Sequence, residues 1–368
     1  MDAVLAALDD AGIAPSEVDG IVTDAGIMPA SVPADYVAAQ LGISPAYVSS
    51  ISYGGAGVAC SPMLAQDALR GGRANVVLSY FGVDWGTRPE GPYAFHNRYP
   101  AKPVFEKPAG YNAQPLYFAH LARRYMHEYG LTEEQLASVA ITHRQHAMRK
   151  GGGQVKGELT LEGYRASRMI ASPLRVLDCC LISDGAGAFV MTRADRARDT
   201  RHRPVLVKGV GFASVAMTGD SAFTQNPNYL HTPGAEFAAR RAFREAGVCV
   251  SELDFAQIYD CFTISCLMEV EDIGICGRGE AGAFFAEGRA AIGGQLPINT
   301  HGGLLSYSYL LGIEHLVEAV HQLRGTAGSS QVTGAELGLV SGFSIPDYGV
   351  LVLGSDSTAE TGRAAASR

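Results

Sequence analysis

No Cys-x-x-Cys pair occurs in the 368 residues, and the seven cysteines, at positions 60, 179, 180, 249, 261, 266 and 276, fall in no metal-ligand spacing. A zinc site and a disulfide framework are therefore not expected, and the adjacent Cys179 and Cys180 are expected on opposite faces of a strand. No apolar run approaches the roughly 18 residues of a membrane span. The first residues, "MDAVLAALDDAG", carry acid where an export signal needs a basic end, so the expected location is the cytoplasm. A basic stripe is missing too. With 29 Lys and Arg against 37 Asp and Glu, the net charge is −8 and scattered, which argues against a nucleic-acid partner and suits solubility.

Apolar residues, by contrast, make up 47% of the chain, ample for continuous cores at this length. They recur in an internal repeat. With one constant shift of about 235, Ala7, Ala11, Gly12, Ser16, Glu17 and Asp19 align with Ala242, Ala246, Gly247, Ser251, Glu252 and Asp254. Each copy reads as a helix stopped by a glycine, a short turn, then an apolar strand. Each is followed by a glycine turn and an amphipathic helix, "GGAGVACSPMLAQDALRGG" (54–72) and "GGLLSYSYLLGIEHLVEAVHQLRG" (302–325), and by the strands "ANVVLSYFG" and "AELGLVSGFS". The expected class is α/β, built from two similar halves.

The polar stretch "TRADRARDTRHRP" (192–204) divides the expected halves, 1–200 and 201–355, with residues 356–368 as a disordered tail. A long insertion over about 85–170 turns helical from "AQPLYFAHLARRYMHEYG" through "TEEQLASVAITHRQHAMRK" and has the character of a ligand-binding lid. The strand "RPVLVKGVGFAS" precedes the second copy and nothing equivalent precedes the first, so the first sheet is expected to be one strand short.

The sequence resembles the thiolase superfamily in "THRQHAMRKGG" (142–152), "SPLRVLDCCLISDGAGAFVMT" (172–192), "YDCFTISCLMEVEDIG" (259–274) and "NTHGGLLS" (299–306). The branch it is most similar to is the sterol-carrier-protein or lipid-transfer type. This resemblance implies a thiolase fold: duplicated βαβαβαββ halves in a five-layered α/β/α/β/α arrangement, a homodimer, and acyl-CoA as substrate. Thiolases use a nucleophilic Cys after the first glycine turn, a His in the second, and a second Cys near the C-terminus. Here the first turn reads "ISYGGAGVAC", with Gly54 or Gly55 near the nucleophile's place and Cys60 well inside the helix. The Gly-His step becomes Ser308-Tyr309, and no Cys follows Cys276. "HDCF" of the lipid-transfer branch becomes "YDCF", with Tyr259. Two tyrosines gained and the Cys chemistry lost resemble the thiolase-like aldolases that shorten steroid side chains. Those imply a small zinc-ribbon and OB-fold partner, and no permanently bound cofactor, CoA being part of the substrate.

Without a nucleophile no acyl-enzyme forms. A retro-aldol cleavage instead needs a base for a β-hydroxyl and polar groups for the thioester enolate. A tyrosine, with a reference pKa of about 10, serves as base only in a cationic or strongly hydrogen-bonding setting. The expected catalytic pair is Tyr259 and Tyr309 in one cleft, their roles unassigned, with Asp260 and His301 in support. If residues 302–325 are one helix, Tyr307 and Tyr309 point about 200° apart and only Tyr309 shares the side of Ile313, Leu316 and Val320.

Cys60, Cys179, Cys180 and Cys261 read as small buried side chains, and His143 and His146 as helix-surface residues with no third metal ligand. "GVGFAS" (209–214) lacks the third glycine of a dinucleotide loop, and "SDGAGA" (183–188) reads as tight strand packing. Two other functions compete: a thiolase or acyltransferase using Cys60 or another nucleophile, and a non-catalytic acyl-CoA or sterol carrier or scaffold subunit.

Overall fold

The computed structural model describes residues 1–24, 32–89, 102–215, 230–344 and 346–356. Its strands are β1 (Gly20–Thr23), β2 (Tyr47–Ser50), β3 (Val76–Asp84), a small hairpin of β4 (Met169–Ala171) and β5 (Leu174–Arg175), β6 (Asp184–Thr192), β7 (Val205–Ser214), β8 (Phe255–Gln257), β9 (Leu337–Ser344) and β10 (Asp347–Ser355). The helices that matter below are α1 (Asp2–Ala11), α2 (Ala34–Leu41), α3 (Gly57–Arg70), α4 (Gln114–Tyr129), α5 (Glu133–Lys150), α6 (Ala235–Ala246), α7 (Thr263–Ile273), α8 (Gly303–Ser306) and α9 (Ile313–Arg324).

The repeat seen in sequence is a repeat in space. Helices α1 and α6 end at Gly12 and Gly247, whose φ of 67° and 68° is the left-handed stop that glycine adopts without a Cβ penalty. One short turn later the paired aspartates do the same work. Asp19 accepts from the Asn75 and Val76 N–H groups at 2.8 Å each, and Asp254 from those of Glu336 and Leu337 at 2.8 Å each. Each aspartate thereby ties the start of its own strand, β1 or β8, to the start of the neighbouring β3 or β9.

Two four-stranded sheets result, ordered β2-β1-β3-β6 and β7-β10-β9-β8. In each, a parallel pair, β1 with β3 or β8 with β9, is joined by an antiparallel partner, β6 or β10. Helices α3 and α9 touch strands of both sheets and form the middle layer. Helices α1 and α2 cover the outer face of the first sheet, and α6, backed by α7, covers the second. The five expected layers are all present, α/β/α/β/α. Because parallel strands need both faces covered, their sequences read as near-continuous apolar runs, and Val76, Val77 and Leu78 of β3 are fully buried.

Both sheets hold four described strands, so the first is not one strand short in number as expected; among the described residues it has no counterpart of β7. Strand β7 pairs with β10 in the second sheet, whereas β6, the counterpart of β10, forms the rim of the first. A cleft of about 1200 Å³ lies there, between β6, β7, α1, α3 and α9, and it is lined by neither Tyr259 nor Tyr309.

Three further expectations need correction. The stretch 302–325 is two helices, α8 and α9, not one. Between them the Tyr309 N–H goes to Ser183 Oγ (2.8 Å) and the Leu310 N–H to Glu314 Oε1 (2.6 Å), while Leu311 takes a left-handed φ of 54°. Backbone donors that a helix would use internally are taken by side chains, so the apolar periodicity is overridden. Cys179 and Cys180 follow a one-turn helix at Val176–Asp178 and lie outside any strand, Cys179 making a single bridge to Phe262. His143 and His146 are buried, not on a helix surface. By contrast "SDGAGA" is packed tightly: a Cβ at Gly187 would fall 2.7 Å from Ile313.

In the region of the insertion, α5 starts on a capping box, Thr132 Oγ1 accepting from Gln135 N and Gln135 Oε1 from Thr132 N. Residues 90–101 of that region, and 357–368 of the expected tail, lie outside the described residues. Among those described, no helix is long and apolar enough to cross a membrane.

Candidate active site

Tyr259 stands two residues beyond the end of β8, and its backbone is fixed on both sides. The Ile258 N–H donates to Asn299 Oδ1 (2.7 Å) and the Asn299 amide donates back to the Ile258 carbonyl (2.8 Å), extending the sheet by a side chain. The Tyr259 N–H donates to Ser341 Oγ (3.0 Å). Its ring then occupies a slot walled by the two glycine turns. A Cβ at Gly55 would lie 2.6 Å from the Tyr259 ring and 2.2 Å from the Phe343 carbonyl, and one at Gly312 would lie 3.3 Å from the same ring. Only glycine fits at position 55, and the space a nucleophilic side chain would use there is filled by the tyrosine.

Tyr309 reaches the same point from the loop between α8 and α9. Its ring packs on Trp85 at the end of β3, centroids 4.8 Å apart. Its hydroxyl lies 2.9 Å from that of Tyr259, within hydrogen-bond distance. Burial pushes both phenols well above their usual range; for Tyr259 the neighbouring Tyr309 phenol pushes the same way, with Cys261 and Cys180 behind it, and for Tyr309 Cys180, Cys261 and Glu314 do so. For Tyr309 the bond from Tyr259 acts the other way. The setting is one of hydrogen bonding, and standing phenolate is disfavoured.

Asp260 faces away from the hydroxyl pair and is fully engaged. Its carboxylate accepts from the Leu304 (2.9 Å) and Leu305 (3.3 Å) N–H groups at the start of α8. It also pairs with His143 Nδ1 (2.8 Å) and His315 Nε2 (3.3 Å), all three side chains having no solvent exposure. Burial alone would raise this carboxyl, but the two imidazoles outweigh it and hold Asp260 well below the usual carboxylate range. The fourth expected residue, His301, is buried with its ring edge-on to those of His315 (5.1 Å) and Tyr307 (5.3 Å). Burial keeps it well below the usual histidine range, hence neutral. Its contacts are with those rings and not with the tyrosine hydroxyls.

His143, His315, Glu314 and Trp85 are the residues that sequence reasoning missed. The adjoining Glu314-His315 was a usable signal, since two ionisable residues opening the apolar face of α9 call for buried partners. His146, also on α5, ties that helix to the Asn299 loop: Nδ1–H donates to the Ile298 and Asn299 carbonyls (3.1 Å each) and Nε2 accepts from the Ile292 N–H (3.1 Å). Burial lowers its pKa to about 4, in keeping with a neutral ring.

The rival nucleophile fares poorly. Cys60 is buried in α3, and burial first, then the nearby Asp24 and Asp347 carboxyls, push its thiol up to about 12. Among the described residues no group of three or more His, Cys, Asp or Glu side chains is arranged to hold a metal ion.

The family described as Thiolase C-terminal domain-like matches residues 216–354. A steroid side-chain-cleaving aldolase from Thermomonospora curvata is 36% identical, with 96% of this chain and 92% of that one covered. The chain belongs to the thiolase superfamily. A 17-hydroxy-3-oxo-4-pregnene-20-carboxyl-CoA lyase from Mycobacterium tuberculosis is 35% identical over 95% of this chain and 92% of its own. The solved Ltp2-ChsH2(DUF35) aldolase superposes with a TM-score of 0.87 at 35% identity, covering 96% of this chain and 91% of that one. The thiolase fold expected from the sequence is therefore the fold found. An acetyl-CoA acetyltransferase from Methanothermobacter thermautotrophicus is also 35% identical, over 87% of each chain. Overall identity thus spans lyases and acyltransferases within this superfamily, and the site has to separate them.

Proposed function

We propose that this thiolase-superfamily chain is a carbon-carbon lyase, an aldolase that cleaves a β-hydroxyacyl-CoA by a retro-aldol reaction and releases a ketone and a shorter acyl-CoA. A steroid or related alicyclic side chain is the proposed substrate, supported by the names of the two lyase relatives. The observation that carries the reading is the 2.9 Å contact between the Tyr259 and Tyr309 hydroxyls at a place where Gly55 leaves no room for a nucleophile.

The proton balance of the reaction suits such a pair. The β-hydroxyl loses its proton to one phenol oxygen as the carbon-carbon bond breaks; the bond's electrons pass to the thioester enolate, and the former carbinol carbon becomes the ketone. The enolate carbon must then gain one proton. If the tyrosine that accepts passes its own proton across the shared hydrogen bond, and its partner donates to the enolate, both end neutral and no proton is exchanged overall. Such a relay needs no standing phenolate, which is what burial disfavours here. Asp260 acts behind the pair, fixing α8 relative to β8, and His301 backs His315 on that side.

Acyl-CoA binding across a homodimer, with a small zinc-ribbon and OB-fold partner completing the assembly, extends the reading. The solved aldolase is named with a DUF35 component, which supports the partner. No cofactor beyond the substrate's CoA enters the steps above. The test is to incubate the chain, alone and with a DUF35-type partner, with 17-hydroxy-3-oxo-4-pregnene-20-carboxyl-CoA. Ketone and shorter acyl-CoA in equal amounts support the lyase. Tight binding without turnover points to a carrier, and a covalent acyl adduct to an acyltransferase.

A further inference from the structure

The two catalytic tyrosines sit on segments 50 residues apart in sequence, and neither segment is part of a helix or strand. Something must hold their hydroxyls at hydrogen-bond distance. The first turn of α9 is in contact with both segments through consecutive residues. Glu314, 7% exposed, receives the Leu310 N–H on Oε1 at 2.6 Å, next to Tyr309 in the chain. His315, fully buried, places Nε2 3.3 Å from Asp260, next to Tyr259 in the chain. Between Tyr309 and Glu314 the backbone runs through the left-handed Leu311, a conformation a leucine does not adopt unless surrounding contacts impose it. Glu314 Oε2 is buried without a hydrogen-bond partner among the described residues, so this carboxyl is committed at a cost and Leu310 is the backbone donor it serves.

We propose that Glu314 and His315 are positioning residues for the lyase reaction: together they set the separation of the Tyr259 and Tyr309 hydroxyls, using the rigid start of α9 as a gauge. Neither contacts the hydroxyls; each fixes the residue next to one tyrosine. The inference rests on the two-tyrosine reading above, and it adds a claim of its own: activity depends on the spacing, and the spacing depends on α9. A misplacement of about 1 Å at a reacting group costs on the order of 100-fold in rate. Loss of either tether should therefore reduce kcat far more than KM, since both residues are buried and act through the backbone beside the tyrosines.

The test measures kcat and KM for the full chain, with its partner if one is required, in Glu314→Ala, Glu314→Gln, His315→Ala and His315→Gln, alongside Tyr259→Phe and Tyr309→Phe. Gln at 314 still accepts from Leu310, and Gln at 315 offers an N–H toward Asp260 in place of the imidazole. The Ala variants are expected to lose roughly 10- to 100-fold in kcat with KM within about 3-fold, and the Gln variants to recover to within about 3-fold of wild type. Trp85, the chain's one tryptophan, lies on Tyr309 and gives a readout that does not depend on turnover. Its emission should shift in Glu314→Ala and return in Glu314→Gln. If Glu314→Ala does not fold, Glu314→Asp decides, because its side chain is one methylene too short to reach Leu310. Wild-type kcat in a folded Glu314→Ala or Glu314→Asp, with both Tyr→Phe variants inactive, overturns the gauge and leaves the tyrosine pair standing. Full activity in both Tyr→Phe variants removes the reading on which the gauge rests.

Discussion

The hydroxyl of Tyr259 lies 2.9 Å from that of Tyr309, and the ring that carries it fills the space above Gly55, where a Cβ would come within 2.6 Å. The two facts are connected. The first glycine turn carries no side chain at Gly55, and the space a Cβ would need there holds a phenol. One substitution cannot introduce a side chain there without displacement, since the Phe343 carbonyl also stands 2.2 Å from that Cβ.

Gly55→Cys should therefore not produce an acyltransferase. The new side chain forces the Tyr259 ring or the β9 backbone aside, an overpacking cost of about 1–3 kcal/mol. We expect lower stability in chemical denaturation, loss of lyase turnover, and no acyl adduct by intact-protein mass spectrometry. An adduct on the introduced thiol together with retained folding would contradict this packing constraint.

Glu314 makes a pH-dependent prediction. Burial raises its carboxyl from the usual 4.5 to about 7. Between those values the folded chain keeps a proton that the unfolded chain has released, so stability falls as pH rises through this window and the full cost is felt above it. Glu314→Gln removes that cost. Its stability relative to wild type should rise between pH 4.5 and 7.5 by up to about 3 kcal/mol. A difference that stays constant across this range would show that the carboxyl is not raised.

Asp260 predicts the opposite slope. Its folded pKa is depressed, so its contribution is complete above the unfolded value of about 4 and is lost as pH falls below it. Asp260→Asn leaves His143 and His315 facing an amide, and breaking a buried pair costs about 3–5 kcal/mol. The gap between wild type and this variant should narrow as pH falls below about 4. A gap that widens on acidification would refute the assignment.

Much of this was legible in the chain. Asp19 and Asp254 align in sequence at the same shift that carries β1 onto β8, and they make the same pair of backbone contacts. Repeats of that kind can be read because each aspartate serves its own turn and the start of one neighbouring strand. Tyr259 and Tyr309 were legible as departures from a family pattern, though the helix expected to orient Tyr309 is absent. His143 was not, for a physical reason. It lies in the middle of an 18-residue helix, and its partner Asp260 is more than a hundred residues away. Helical periodicity shows which face is buried but not which charge it meets. Leu311 is a similar case: its left-handed turn follows two residues whose N–H groups donate to Ser183 and Glu314, and nothing in "SYSYLLG" announces either bond.

In the proposed reaction the two phenols, and no nucleophile, perform the cleavage. The most direct measurement is single-turnover release of ketone from the β-hydroxy steroid acyl-CoA by wild type, Tyr259→Phe and Tyr309→Phe, each checked for folding by its melting curve. Stoichiometric ketone is expected from wild type and at least about a 100-fold slower release from each variant, general acid–base groups being worth roughly that much. Release at the wild-type rate from both folded variants would contradict the proposed reaction.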